Sequence, residues 1–415
     1  MTFEKKKDYF IFFCGLVSTF SLRVLGTFYI IEIIAFLSYL FIHWRRFWDN
    51  PRMRMVIKMA FLWLLGAMIA DWWNNTPTVD MLKGWFNIIF FIGLMPFVYW
   101  ALRDKPRRWI WYVAGNGISS LLSFYLVRGE MFDERLYEIW KLYAFGPLVV
   151  AIAGVLYYKG KHKLAMLAYL GWGLYALYGG SRNIFLTTSL AVCIIYIVHQ
   201  YRNSSIDKQI IQFRRSIGRV FLALLIGAIA VDSSYEYLAS NKMLGEYAYE
   251  KYMAQNYSSE NLLQGGRSET FLGIELIKEN PIIGYGSFAE YSPKLISSAS
   301  LRQALLDYYK DVDYYYLPTH SHVVGYWVYH GFLGGLFWIY VLFLMWKLFR
   351  TGAFMYEPKL TGHCLYYSMA VLWAILFSPF GQRAPMAFYI AYLIVIEGYY
   401  LNDKYGIFHK VEPKK

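Results

Sequence analysis

Apolar residues along this chain gather into blocks of bilayer length, separated by short polar connectors and by one much longer polar stretch late in the sequence. The blocks lie at roughly 9–22, 24–42, 54–70, 84–101, 109–127, 139–158, 164–179, 184–200, 217–231, 323–349, 361–379 and 384–402. A helix needs about 20 apolar residues to cross the hydrocarbon core, so the pattern predicts about twelve transmembrane helices, the first and seventh being short. Nine fall within 1–231. A hydrophilic excursion occupies 232–322, and three more helices with a polar tail complete 323–415.

The connectors alternate in charge. Lys and Arg concentrate at 45–58, 103–108, 159–163, 202–219, 347–359 and from 404 onward, together with Lys5, Lys6 and Lys7. With a cytoplasmic N-terminus these segments all fall on one side, as basic loops of membrane proteins do, and the long excursion falls on the opposite, periplasmic side. Lys5-Lys6-Lys7 followed by an apolar run resembles the start of a signal peptide. No convincing small-residue cleavage site follows, so the expectation is a retained first span.

Composition agrees. Of the 415 residues 58% are hydrophobic and 20% aromatic, which excludes an ordinary soluble protein. The net charge of +13 sits in connectors rather than in a patch on a soluble fold, so no nucleic-acid partner is expected. Cys14, Cys193 and Cys364 all lie in apolar runs, without metal-ligand spacing or a disulfide pattern.

Against that topology the basic residues on the outer side stand out. Arg23, Arg182 and Arg383 occupy short outer connectors, where each works against orientation and lipid solvation unless an anion, a headgroup or a nearby acid meets it. Arg182 follows Gly179-Gly180-Ser181 and opens an apolar run, so it marks a helix start where backbone N–H groups and the helix dipole already favour an anion such as a diphosphate; a structural ion pair is the alternative. Arg267 stands before a second predicted helix, TFLGIELIKEN, that Pro281 ends. It can serve an anion in the same way or pair with Glu269 or Glu275. The PIIGYG segment then turns the chain. The tyrosines of 308–316 can stack on sugar rings, but they are also ordinary residents of the membrane interface. His320 and His322 come where the chain re-enters the membrane, beside the headgroup plane, and either imidazole can move a proton near neutral pH or simply hydrogen-bond at the interface. His330 is expected to be structural, and Gly331, Gly334 and Gly335 to allow close helix packing.

Three motifs, GGSRNIF, GGRSETFLGIELIKENPIIGYG and HSHVVGYWVYHGFLGG, occur in an order and topology that resemble the O-antigen ligase/polymerase superfamily of bacterial membrane glycosyltransferases. The last is similar to the family's pattern of a histidine followed eleven residues later by Gly and three after that by another Gly, here His320, Gly331 and Gly334. The residue after the family's histidine is commonly Asn and here is Ser321, which leaves both His320 and His322 as candidate bases.

The resemblance implies an all-α polytopic membrane protein of GT-C-like fold, in the inner membrane, with its active site on the periplasmic side. It further implies metal-independent, inverting transfer of a glycan from undecaprenyl diphosphate, without a cofactor. The acceptor is lipid A–core for an O-antigen ligase, or a second carrier-linked glycan for a Wzy-type polymerase of O-antigen, capsule or exopolysaccharide. On this expectation Arg182, Arg267 and Arg383 bind the diphosphate and His320 or His322 acts as base. A secondary transporter is the alternative of a different class; it predicts two related halves and helices broken near the midplane, whereas no such repeat is visible and the charged residues gather at the outer face.

Overall fold

The computed structural model describes residues 3–23, 27–42, 49–127, 134–179, 181–201, 268–292, 295–309, 316–317, 320–378 and 383–405, with 208, 210–213, 215–216, 237–243, 245–246, 249 and 252–253. The expected apolar block 217–231 and Arg267 lie outside the described residues. The described chain is mostly helical. It runs α1 (Phe3–Leu16), a hairpin of β1 (Ser21–Arg23) and β2 (Thr27–Tyr29), α2 (Ile30–Phe41), α3 (Pro51–Trp73), α4 (Thr78–Leu102), α5 (Arg108–Val127), α6 (Glu134–Tyr158), α7 (His162–Tyr178) and α8 (Arg182–Gln200). Beyond these come α9 (Ser268–Glu279), α10 (Ala299–Tyr309), α11 (His322–Thr351), α12 (Thr361–Phe377) and α13 (Arg383–Tyr405).

Among the described residues, five helical segments are long and apolar enough to cross a membrane: Pro51–Trp73, Thr78–Leu102, Asn183–Gln200, His322–Thr351 and Arg383–Leu401. Shorter apolar helices accompany them at Ile30–Phe41, Ala144–Tyr158 and Thr361–Phe377. The expected blocks at 9–22 and 24–42 come out differently. Their helices stop at Leu16 and start at Ile30, and between them Ser21–Arg23 pairs antiparallel with Thr27–Tyr29, Arg23 opposite Thr27.

Neighbouring helices pack in sequence, α1 on α5, α5 on α6, α6 on α7 and α7 on α8; α8 then meets α12, and α12 meets α11. On its other side α11 lies along α3, which leads through α4 to α13. The ends of the bundle differ in chemistry. At the end holding the N-terminal lysines, basic and acidic side chains pair across helices: Lys7 with Asp104 at 3.0 Å, Arg108 with Asp8 at 2.8 Å, and Glu397 with both Arg52 at 3.0 Å and Lys347 at 2.6 Å. The opposite end carries the hairpin between α1 and α2.

α11 is not one straight rod. His330 (φ −115°, ψ 15°) and Gly331 (φ 64°, ψ −161°) leave helical geometry, and the chain folds back on itself there. Tyr326 stacks on Trp338, and the His322 ring lies 4.6 Å from that of Trp338, sixteen residues further on, which a straight helix would hold about 24 Å away. Segment 322–330 therefore climbs to the kink, and segment 332–351, about 30 Å long at helical rise, returns through the bundle. This differs from the expected single span with its histidines at the rim: His322 starts a short climbing helix and lies about 10 Å below the kink, level with Trp338.

The kink survives because the PIIGYG turn plugs it. The N–H groups of Tyr285 and Gly286 donate to the carbonyls of Val328 and Tyr329 at 2.8 and 2.9 Å, while Phe332 N–H donates to Ile282 O at 3.0 Å. Backbone groups orphaned by the break thus find partners, as buried polar groups must. Only glycine fits at the contact. A Cβ on Gly331 would lie 2.0 Å from Ile282 O, one on Gly284 would lie 2.5 Å from Gly331 N, and both residues have positive φ.

Candidate active site

Two helix N-termini meet below that turn. α9 and segment 322–330 run side by side in the same direction. Their upper ends join where Trp327 Nε1 donates to Pro281 O at 2.7 Å, and a small core of Leu276, Tyr285, Ile296, Leu301, Leu305, Leu317 and Val328 lies between them and α10. Burial pushes the Tyr285 phenol above its ordinary pKa, so it stays a neutral donor, here to Leu276 O. At the lower ends, Glu269 in the first turn of α9 contacts His320, two residues before α11.

His320 Nδ1 lies against the Glu269 carboxylate, and its side chain is 45% exposed. The next two residues are held firmly. Ser321 caps α11, its hydroxyl accepting from Val324 N–H at 3.1 Å and donating to Ile375 O at 3.0 Å near the end of α12. His322 is buried, and its Nδ1 donates to Ala374 O at 2.6 Å. Fixed Ser321 and His322 thus present an accessible His320 to Glu269.

The expected arginines divide. Arg182 is the first residue of α8, where the sequence placed a helix start; the structure describes its backbone and not its side chain. Arg267, outside the described residues, directly precedes Ser268 of α9. Arg383 begins α13 and, rather than facing an open anion site, is 7% exposed and turned onto protein acceptors. It bonds Glu32 at 2.5 and 3.0 Å, Thr27 O at 2.6 Å and Asn87 Oδ1, with Tyr29 and Phe90 beneath the guanidinium. A buried Glu32 on α2 needs such a partner, which is the physical reason for the difference from expectation.

A second polar group sits at the kink. Trp63 Nε1 donates to His330 Nδ1 at 2.9 Å, so His330 Nε2 carries the ring proton and donates to Ser287 Oγ at 3.1 Å. Ser287 in turn donates to Asp71 through its hydroxyl at 2.9 Å and its N–H at 2.5 Å, and Trp85 adds a bond to the same carboxylate at 2.7 Å. The residue types are those of a serine hydrolase, but the proton order is opposite: the serine hydroxyl points at the aspartate and the imidazole gives the serine a hydrogen bond. This group locks the turn to α3.

Sequence reasoning missed Asp71, Glu32 and Ser287, and weighed Glu269 only as a partner for Arg267. A signal was present for the first two, since an acid within or at the edge of an apolar block demands a buried partner. Among the described residues no cluster of three or more His, Cys, Asp or Glu side chains could hold a metal ion.

Helices of spanning length, a plugged kink and an accessible histidine held by a carboxylate where two helices start are the features of an all-α protein of membrane-spanning character. Residues 164–339, under half of the 415, match the family model Wzy_C, described as O-antigen ligase. The match supports the O-antigen ligase/polymerase superfamily and a glycosyltransferase-like activity on lipid-linked glycans in general. It spans Arg182, Arg267, Glu269, His320 and the kink, and leaves out Arg383. No curated protein matches the chain.

Proposed function

We propose that this chain is a membrane glycosyltransferase that moves a glycan from undecaprenyl diphosphate to an acceptor hydroxyl on the periplasmic face of the inner membrane. The leading assignment is the O-antigen ligase of lipopolysaccharide biosynthesis, with lipid A–core as acceptor. The observation that carries the reading is the contact of His320 with Glu269 where α9 and α11 begin, inside the segment that matches the family. The side with few basic connectors is then periplasmic.

In this reading His320 Nε2 takes the proton of the acceptor hydroxyl as that oxygen attacks the anomeric carbon from the face opposite the diphosphate. The bond from carbon to the diphosphate oxygen breaks, the electron pair leaves with the diphosphate, and the anomeric centre inverts. Arg182 and Arg267, each at a helix start, oppose charge that grows in the transition state, and no metal is called upon for that task. His322 and Ser321 hold the base in place. Arg383, occupied by Glu32, supports the junction of α2, α4 and α13, and reaches a phosphate only by releasing that acid.

One observation favours a transporter, the broken α11, since transporters build sites from discontinuous helices near the midplane. The break is filled by the protein's own turn rather than open to an ion, and the family match runs through it. Products from a deletion strain test the proposal. Uncapped core with accumulated long carrier-linked polymer supports a ligase; core bearing a single repeat supports the polymerase; unchanged glycans with impaired solute uptake overturn the enzyme reading.

A further inference from the structure

We propose that Glu269 is the positioning residue for the His320 base: its carboxylate accepts the Nδ1–H of His320 and so turns the Nε2 lone pair toward the acceptor hydroxyl. The proposal rests on the transfer reaction above and deepens it. Local sequence pairs Glu269 with Arg267, two residues away, or with the solvated face of α9. The fold also brings it to a histidine 51 residues further along the chain. Lys278, near the other end of α9, takes the exposed Glu275 at 2.5 Å, so that pair satisfies itself and Glu269 stands at the opposite end.

A neutral imidazole has one N–H and one lone pair, so whichever nitrogen meets a carboxylate carries the proton and the other becomes the base. Glu269 contacts Nδ1, which leaves Nε2 for the substrate. After proton transfer the ring is an imidazolium, and the adjacent carboxylate stabilises that charge without taking the proton itself. The acceptor proton thus rests on Nε2 while the new glycosidic bond forms and the diphosphate departs. The anchoring of Ser321 and His322 to α12 limits how far His320 can swing, and Glu269 sets the remaining ring orientation.

The test uses the full-length protein in detergent, with a synthetic prenyl-diphosphate-linked oligosaccharide as donor and, separately, lipid A–core or a second carrier-linked oligosaccharide as acceptor. Glu269→Ala is expected to lower kcat by about 100-fold, the scale of a mispositioned general base, with KM for the donor moving less than about threefold. In a His320→Ala background the same change should cost nothing more, because the two residues act as one unit. Independently of turnover, the ¹⁵N shifts of His320 should report the Nδ1–H tautomer in the wild type and a move toward Nε2–H in Glu269→Ala. A raised KM with unchanged kcat would assign Glu269 to donor binding through Arg267 and overturn the proposal, as would an unaltered tautomer. Full activity of His320→Ala would instead remove the base assignment on which the proposed function stands, while the tautomer measurement still decides what Glu269 does.

Discussion

His330 and His320 stand ten residues apart, one at the top of the climbing half of α11 and the other two residues before its start, and each is tied through a ring nitrogen to another part of the chain. His330 is fully committed. Trp63 occupies one nitrogen, Ser287 the other, and Asp71 completes a buried set whose hydrogen-bond directions are all dictated by donors that cannot accept and acceptors that cannot donate. Among the described residues His320 is held through Nδ1 alone, by Glu269, and nearly half of its side chain is accessible. Similar residue types thus make a lock in one place and a site that can meet substrate in the other. The difference lies in exposure and proton direction, neither of which residue identity reveals.

The sharpest way to break this comparison is His320→Ala. Transfer should fall by about 10²- to 10⁴-fold, the contribution of a general base, while the thermal unfolding midpoint of the detergent-purified protein stays near the wild-type value. Arg383→Ala should do the opposite. Leaving Glu32 buried without its guanidinium costs about 3–5 kcal/mol, read as a lowered midpoint, and the further change Glu32→Ala should recover part of it. A large rise in donor KM without loss of stability would instead return Arg383 to the diphosphate. Gly331→Ala should cost about 1–3 kcal/mol from positive φ alone, with the clash against Ile282 O added, and should release the 281–287 turn to limited proteolysis. The smallest effect belongs to Lys278→Ala. Its pair with Glu275 is exposed, so stability should change by less than about 1 kcal/mol and transfer not at all.

Much of the scaffold was legible because hydropathy reports burial in lipid directly. The blocks at 54–70, 84–101, 361–379 and 384–402 correspond to Pro51–Trp73, Thr78–Leu102, Thr361–Phe377 and Arg383–Tyr405. The helix starts at Arg182 and just after Arg267 were readable from glycines ahead of an apolar run, and His330 from its place in an apolar stretch. The fold-back at Gly331 was not. Apolar residues continue unbroken through YWVYHGFLGGLFWIY, so periodicity sees one span, and the partner that makes the break tolerable lies some 45 residues earlier in sequence. The same limit hid Glu269. A local pattern offers an acid its neighbours in sequence, whereas the contact with His320 is set by two helices running in parallel from a shared start. For Arg383 the missing information was Glu32, an acid in an apolar block at the far end of the chain.

The most direct measurement is a structure of the full-length protein bound to an unreactive prenyl-diphosphate-linked sugar. The account predicts the diphosphate at the start of α9, within ionic reach of Arg267 and Arg182, and the anomeric carbon placed so that an attacking hydroxyl lies about 3 Å from His320 Nε2. Density for the sugar at the basic end of the bundle, or at the His330 lock with His320 facing away, would contradict it.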